Sequence, residues 1–246
     1  MKLFIVGFGP GHPDGMTLEA QRVLEESQVI LGYSLYIDLI KPLFPGKIFL
    51  NTPMKREEER CRMAVGETLK GQTVSLVCSG DSGVYGMAGL VYEIAQDYPP
   101  VEMEVIPGVT AALSGGALLG APLGHDFAVV SLSDLLTPWE VIERRLHAAA
   151  QGDFVLALYN PSSKKRAGYL KAACDILLET KPPETVCGIA RNIGREGQST
   201  QVVTLGELRR METDMFSTVF IGNAQTLNVN GKMVTPRGYP LKKEPG

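Results

Sequence analysis

Short apolar segments alternate with longer segments of helical periodicity along the first half of the chain. The apolar segments have the length of buried strands, and the segments between them place apolar residues three and four positions apart, as amphipathic helices do. Strands are predicted at residues 3–6, 29–31, 74–78 and 103–106, and helices at residues 17–27, 56–69 and 109–119. This alternation is typical of α/β proteins with a mostly parallel sheet.

The same alternation begins again after a segment rich in glycine and proline at residues 120–125. Strands are predicted at residues 127–132, 154–159, 185–190, 201–205 and 217–221, and helices at 139–150 and 164–179. Because breaker residues mark linkers, we place a domain boundary after Gly120. The chain is predicted to form an N-terminal α/β domain at residues 1–120 and a C-terminal α/β domain at 121–246, with mostly parallel or mixed sheets.

Composition and charge exclude several classes of function. The chain has 246 residues, of which 44% are hydrophobic, so it can bury a substantial core. Its formal net charge of -3 provides no general positive field for nucleic acid or for an anionic membrane surface. No apolar segment approaches the roughly 18 residues of a membrane span, and the N-terminal apolar run is too short for a signal peptide. We expect a cytoplasmic protein without a nucleic-acid or membrane partner.

The cysteines and histidines are few and widely separated in the sequence. The four cysteines form no CxxC pair, and the three histidines are equally scattered. We therefore expect neither a disulfide framework nor a metal site. Cys78 and Cys187 lie inside predicted strands, where a thiol is usually a small core side chain.

A glycine-rich turn follows the first predicted strand. Residues 7–11 read GFGPG, which is half of a dinucleotide-binding fingerprint. The fingerprint is incomplete, because His12 occupies the position of its third glycine and the next predicted strand ends without an acidic residue for a ribose. Pro10 also lacks the backbone amide that a phosphate would need. A nicotinamide-dependent reductase is therefore the weaker reading of this turn.

Two further loops follow predicted strands in the same way. One reads CSGDSGVYG at residues 78–86 and the other PGVTAA at residues 107–112. Asp81 in the first of them is either the N-cap of a helix that begins near Gly83 or a functional carboxylate. Because the carboxyl ends of parallel strands meet at one edge of a sheet, the three loops predict a single pocket.

At these loops the chain resembles the tetrapyrrole methylase family of S-adenosylmethionine-dependent methyltransferases. Further segments resemble the branch that methylates C17 of precorrin-3B or cobalt-precorrin-3, and they are GYSLY at 32–36, GDSGVYGMAG at 80–89, SLSDLLTPWEVIERRL at 131–146 and YNPSSKKR at 159–166. The likeness covers nearly the whole chain. Ser82 stands where the wider family has proline in a GDP motif, and we interpret the serine as a feature of this branch.

The resemblance implies a homodimer of two-domain α/β chains, with S-adenosyl-L-methionine bound in the cleft between the domains largely by backbone groups. Carried over by position, the cofactor-binding residues are Pro10, Gly80, Asp81, Val84, Tyr85, Thr110 and Ala111 in the first domain, and Tyr159, Asn160, Ala190 and Arg191 in the second. The implied activity is methylation of C17 coupled to contraction of the macrocycle during cobalamin (vitamin B12) biosynthesis. Whether the substrate contains cobalt stays open.

Contraction of the macrocycle requires proton movement, and the sequence does not single out one residue for it. The catalytic candidates are Asp81, His125 and Asp134, and Asp126 and Ser131 are further polar residues near strand ends. His125 equally suits a linker contact, and Asp134 equally suits a cap of the helix that follows it.

The substrate of this branch is a polycarboxylate, so the chain must supply cationic partners. Lys164, Lys165 and Arg166 are favoured because positive residues at a predicted helix start oppose the helix dipole. The other candidate cations are Lys55, Arg56, Arg60, Arg191 and Arg195. Residues 56–60 include three glutamates, however, which predicts a solvent-exposed helix face. Tyr33 and Tyr36 are candidates for packing on the macrocycle or binding a propionate.

Two alternatives to C17 methylation stay open within this resemblance. The chain can be another methylase of the family that acts at a different ring position, or a noncatalytic module that binds a tetrapyrrole. A noncatalytic binding module would not account for the three polar glycine loops.

Overall fold

The computed structural model describes residues 1–163 and 167–240, and the chain divides into two compact units, Met1–Ala111 and Ala112–Gly246. The two units are described separately. The division falls earlier than the boundary that we predicted after Gly120, at the start of the small-residue helix rather than after its end.

The first unit is built on a parallel five-stranded sheet in the order β3-β2-β4-β1-β5. Its strands are β1 (Leu3–Gly7), β2 (Val29–Tyr33), β3 (Ile48–Thr52), β4 (Val74–Cys78) and β5 (Met103–Ile106). Its helices are α1 (Leu18–Glu26), α2 (Ser34–Ile40), α3 (Glu57–Leu69) and α4 (Ala88–Ala95), with short 3-10 turns at Pro13–Gly15 and Lys41–Leu43.

Helices cover both faces of this sheet, which explains why its inner strands β1, β2 and β4 are buried along almost their whole length. Every residue of β1 is buried, and successive side chains point to opposite faces. Leu3 and Ile5 pack with α3 and α4 on one face, and Phe4 and Val6 pack with α1 and α2 on the other.

The order of the strands creates a crevice at the carboxyl ends of β1 and β4. These strands are neighbours, yet the chain leaves β1 for α1 on one face of the sheet and leaves β4 for α4 on the opposite face. Such a topological switch point is where open α/β sheets bind ligands. The first and second glycine loops line this crevice.

The second unit contains a mixed five-stranded sheet in the order β10-β9-β11-β8-β7, in which only β7 and β8 are parallel neighbours. Its strands are β7 (Phe127–Ser131), β8 (Val155–Tyr159), β9 (Val186–Arg191), β10 (Ser199–Thr204) and β11 (Ser217–Ile221). A smaller sheet in the order β12-β13-β6 contains β6 (Gly120–Ala121), β12 (Leu227–Val229) and β13 (Lys232–Val234). The helices are α5 (Ala111–Leu119), α6 (Trp139–Gln151), α7 (Tyr169–Leu177) and α8 (Leu205–Leu208).

Helix α5 packs on the second sheet, and this explains why the division precedes it. α6, α7 and α8 cover one face of that sheet, and α5 lies against the other. A Cβ on Gly115 would be 2.9 Å from Ile193 and 3.2 Å from Phe220, and a Cβ on Gly188 would be 2.6 Å from Leu119. The small residues of α5 therefore permit close packing within the second unit.

The predicted fold class is confirmed, and most predicted elements are present. β4, β5 and β11 begin and end at the predicted residues, and Thr17 caps α1 as predicted, because its Oγ1 accepts a hydrogen bond of 3.1 Å from the Ala20 amide. The hydrophobic pattern did not predict α2, β3, α8 or the small sheet. The helix after Asp81 begins at Ala88 and not near Gly83, and the predicted helix at 164–179 is described only as α7, since residues 164–166 lie outside the described part of the chain.

All four cysteines are free and buried, and the predicted core placement of Cys78 and Cys187 is confirmed. Burial raises the pKa of Cys78 to about 11 and the pKa values of Cys61 and Cys174 to about 12, and it also raises the pKa of Cys187. These thiols therefore stay protonated near neutral pH. Within the residues that the structure describes, no helix is long and apolar enough to cross a membrane.

The buried, protonated thiols predict chemical inertness in the native state. At about pH 8, a thiol-modifying disulfide reagent should label none of the four cysteines of the folded protein within minutes and all four after denaturation. The release of chromophore measures the labelling, and the denatured sample is its control. Rapid labelling of a cysteine in the folded protein would contradict the burial.

Candidate functional site

The three predicted loops meet around Gly7 at the carboxyl edge of the first sheet. A Cβ on Gly7 would lie 2.7 Å from the Gly80 carbonyl oxygen and 2.8 Å from the Gly108 amide nitrogen. A Cβ on Gly108 would lie 2.1 Å from the same Gly80 oxygen and 2.4 Å from the Gly7 oxygen. Side chains are excluded at these positions because the three backbones are in direct contact.

The first and second loops pair through their backbones. The Gly9 amide donates to the Gly80 carbonyl at 3.0 Å, and the Gly80 amide donates to the Gly9 carbonyl at 2.7 Å. Both glycines have a positive φ, of 79° and 70°, which a residue without Cβ adopts most readily. The floor of the crevice is therefore closed by backbone hydrogen bonds.

Asp81 ties the second loop to the third. Its Oδ1 accepts hydrogen bonds from the amides of Gly83 at 2.8 Å and Val84 at 3.1 Å, and its Oδ2 accepts from the Gly108 amide at 2.9 Å. These amides belong to a turn and a loop, so Asp81 caps the start of its own turn rather than a helix. Both carboxylate oxygens are engaged by backbone amides that fix the two loops, which favours a structural role over proton transfer.

Ser82 is buried beneath these loops. Its hydroxyl lies 3.1 Å from the Ile5 carbonyl oxygen and 3.4 Å from the Ile106 carbonyl oxygen, in β1 and β5. Proline cannot donate such a hydrogen bond. The serine at this place in the loop therefore links the loop to two strands of the sheet.

The backbone contacts determine which ligands the crevice suits. The amides of Gly9, Gly80, Gly83, Val84 and Gly108 all donate within the protein, and Pro10 has no amide. A phosphate requires free amide donors, so the dinucleotide reading loses its physical basis. A sulfonium donor such as S-adenosylmethionine carries no phosphate, so the engagement of these five amides does not disfavour it.

The predicted cofactor-binding residues of the first unit all lie on these three loops or directly after them. They are Pro10, Gly80, Asp81, Val84, Tyr85, Thr110 and Ala111. Tyr85 has a φ of 53° and an exposed side chain, an uncommon conformation for an aromatic residue. The structure thus places these seven predicted residues on adjoining loops. Their contact with a cofactor stays a prediction.

The predicted residues of the second unit lie at one edge of its sheet. β8 and β9 are both antiparallel to β11, so Tyr159 and Arg191 end their strands at the same edge. Ala190 is fully buried and can offer only backbone groups. Arg191 forms an ion pair with Asp214 at 2.6 Å, so part of its charge is already balanced within the protein.

Ser131 and Asn160 form a polar pair at this edge. Ser131 Oγ accepts hydrogen bonds from Asn160 Nδ2 at 3.0 Å and from the Ser133 amide at 3.2 Å. Its own hydroxyl proton has no acceptor among the described residues. Ser131 is therefore arranged as a hydrogen-bond donor at the end of β7, and Asn160, with a φ of 53°, is oriented by the turn after β8.

The other catalytic candidates are placed less favourably. His125 precedes β7, whereas Ser131 ends it, so the two lie at opposite edges of the sheet, separated by roughly 13 Å of strand. Asp134 does not cap α6, whose N-cap residue Pro138 has no side-chain hydrogen bond. It accepts a hydrogen bond of 2.6 Å from the Tyr169 hydroxyl instead.

The predicted substrate tyrosines lie together beside the first sheet. The ring centroids of Tyr33 and Tyr36 are 5.1 Å apart at an interplanar angle of 83°. Lys164, Lys165 and Arg166 lie outside the described residues. Arg56 is exposed and near Glu59, as predicted, but the solvent-exposed prediction was wrong for Arg60, which is only 3% exposed.

Comparison with known sequences gives consistent matches. The family model described as tetrapyrrole (corrin/porphyrin) methylases matches residues 2–209. A protein of Salmonella typhimurium named "Probable cobalt-factor III C(17)-methyltransferase" is 44% identical over 97% of this chain and 100% of its own length. The "Cobalt-factor III methyltransferase" of Priestia megaterium is 43% identical over 98% of this chain, which spans 46% of that longer protein.

Solved structures agree with these matches. The crystal structure of the methyltransferase CobJ superposes with a TM-score of 0.88 at 37% identity, covering 95% of this chain and 99% of that one. At the level of the fold alone, the uroporphyrin-III C-methyltransferase of Thermus thermophilus in complex with S-adenyl homocysteine matches with a TM-score of 0.71 at 24% identity, over 90% of this chain and 97% of that one.

The contact between the three loops predicts that alanine at position 108 is destabilising. Gly108→Ala places a methyl group against two backbone carbonyls, so we expect the free energy of unfolding to fall by about 1–3 kcal/mol. The matched control is Gly66→Ala in α3, where an added Cβ meets nothing within 4 Å, and this change should raise it by about 0.5–1 kcal/mol. Denaturant unfolding measures both, and equal stabilities of the two variants would refute the contact.

Proposed function

This chain belongs to the tetrapyrrole methylase family, and we propose that it transfers a methyl group from S-adenosylmethionine to C17 of a cobalt-containing tetrapyrrole and contracts the macrocycle on the route to cobalamin. The observation that carries the proposal is its 44% identity to the Salmonella relative over that protein's whole length. The names of the relatives favour a cobalt-containing substrate over metal-free precorrin-3B.

We assign the methyl donor to the crevice between β1 and β4. Three observations support the assignment: the topological switch point, the contact of the glycine loops at Gly7, and the engagement of the amides that a phosphate would need. When bound, S-adenosylmethionine supplies an electrophilic methyl group on a sulfonium. The loops contribute backbone groups and a rigid shape, and Thr110 and Ala111 extend this surface along the third loop.

The main contribution of the protein to methyl transfer is orientation of the reacting carbon. Correct placement of two reactants can lower a barrier by ~7–11 kcal/mol without any acid or base. The edge formed by Tyr33 and Tyr36 suits the flat macrocycle, because aromatic rings pack on π systems in edge and offset arrangements. For the proton movement of ring contraction, Ser131 is the best-placed of the candidates, since its hydroxyl accepts two hydrogen bonds and has no acceptor of its own among the described residues.

The proposal includes two features of the intact protein. We expect the chain to work as a homodimer, because the resemblance to the family implies one, and we expect it in the cytoplasm with the other enzymes of a soluble biosynthetic route. The tetrapyrrole is its principal partner.

Methylation with isotopically labelled S-adenosylmethionine tests the proposal directly. The purified protein is incubated anaerobically with cobalt-factor III and, in parallel, with precorrin-3B, and the products are analysed by mass spectrometry. We expect label in a ring-contracted product, with faster turnover of cobalt-factor III. Calorimetric titration with S-adenosylhomocysteine measures donor-site binding independently of the macrocycle.

Each result of this assay selects one reading. Label in an uncontracted product, or at a position other than C17, would assign the chain to a different reaction of the family. Binding of the macrocycle without consumption of the donor would identify a noncatalytic module. Preference for precorrin-3B would retain C17 methylation and reverse the assignment of the substrate.

A further inference from the structure

Arg60 is a buried cation at the carboxyl edge of the first sheet. It lies near the start of α3, and its guanidinium contacts the ends of separate segments. Nε donates to Thr52 Oγ1 at 2.9 Å, Nη2 donates to the Pro53 carbonyl at 3.0 Å, and Nη1 lies 3.3 Å from Met87 Sδ. One side chain therefore connects the end of β3, the turn after it and the residue before α4.

No carboxylate among the described residues forms an ion pair with Arg60. All of its hydrogen-bond partners among the described residues are neutral. Burying a charged group is costly even when it is hydrogen-bonded. This cost favours a further role for the planar, charged group of Arg60 beyond the joining of three segments.

Tyr33, Tyr36 and Phe8 form a row of aromatic rings, and the guanidinium lies beside the first of them, Tyr33. Arg60 Cζ lies 5.9 Å from the Tyr33 ring centroid, within the range of a cation–π contact. Tyr33 packs edge-on against Tyr36, and Tyr36 packs edge-on against Phe8 at 5.7 Å. The Phe8 amide donates to the Cys78 carbonyl, so the aromatic row links Arg60 with the first glycine loop.

We propose that Arg60 is a positioning residue that fixes the aromatic row as a packing surface for the tetrapyrrole macrocycle. Tyr33 and Tyr36 are partly exposed and present the surface, whereas Arg60 and Phe8 hold it from the buried side. Arg60 acts through Tyr33 and does not touch the substrate. The inference rests on the proposed function, because it assigns a place to the macrocycle.

A double-mutant cycle between Arg60→Met and Tyr33→Leu tests the coupling. Steady-state kinetics give KM for cobalt-factor III, and calorimetry gives the dissociation constant of S-adenosylhomocysteine. Each single variant should raise KM about tenfold, and the double variant should raise it little further, because both changes remove the same surface. The dissociation constant of S-adenosylhomocysteine should change less than about twofold.

The controls separate positioning from a general effect on folding. Arg22→Met removes an exposed arginine of α1 that pairs with Glu26, and it should leave KM unchanged. Arg60→Lys keeps the charge but not the planar, multiply bonded group, so it should recover only part of the wild-type KM. If thermal unfolding shows that Arg60→Met does not fold, Arg60→Lys takes its place in the double-mutant cycle.

Three results would overturn the inference. Additive effects of the two single changes would show that Arg60 does not act through Tyr33, and a parallel loss of S-adenosylhomocysteine binding would show a merely structural role. An unchanged KM in the Arg60 variants would show no role in substrate binding. Absence of turnover by the unaltered protein would instead overturn the proposed function, and this inference with it.

Discussion

The three hydrogen bonds that Asp81 accepts from backbone amides are the interaction on which the ligand-facing edge of the first unit depends. They hold the second and third loops against Gly7, where neither Gly7 nor Gly108 has space for a side chain. Because the chain leaves neighbouring strands for α1 and α4 on opposite faces, the topology opens a crevice, and the Asp81 carboxylate joins the second loop, which lines it, to the third. The strand order and the hydrogen bonds of Asp81 thus shape the same edge of the sheet.

The two units position polar groups by different arrangements of strands. In the first unit, parallel strands bring every loop after a strand to one edge. In the second unit, the antiparallel β11 separates β8 from β9 and still leaves both ending at the same edge. Ser131, Tyr159 and Arg191 therefore share an edge although they lie far apart in the sequence. Strand direction, more than distance along the chain, determines which residues can act together.

Hydrophobic periodicity and glycine loops were sufficient to predict the α/β class, most strands and the three loops of the crevice. The edge strand β3 was missed although residues 48–50 form a short apolar run, and it is only partly buried. Arg60 was misread because glutamates precede it, although its spacing of four from Ala64 and eight from Thr68 places it on the buried stripe of α3. The hydrogen bonds from the Gly108 amide to Asp81 and from the Tyr169 hydroxyl to Asp134 join residues distant in sequence, so composition and spacing could not predict them.

The pairing of Gly9 with Gly80 means that the crevice has its shape before any ligand arrives. If the methyl donor binds here as we propose, a preformed backbone surface would meet the groups that the donor shares with its demethylated product, so the site would bind both. Such an enzyme is subject to inhibition by its own by-product. Its flux in the cell is then governed by how quickly that by-product is removed, and thus by the ratio of fresh to spent donor as much as by the supply of the macrocycle.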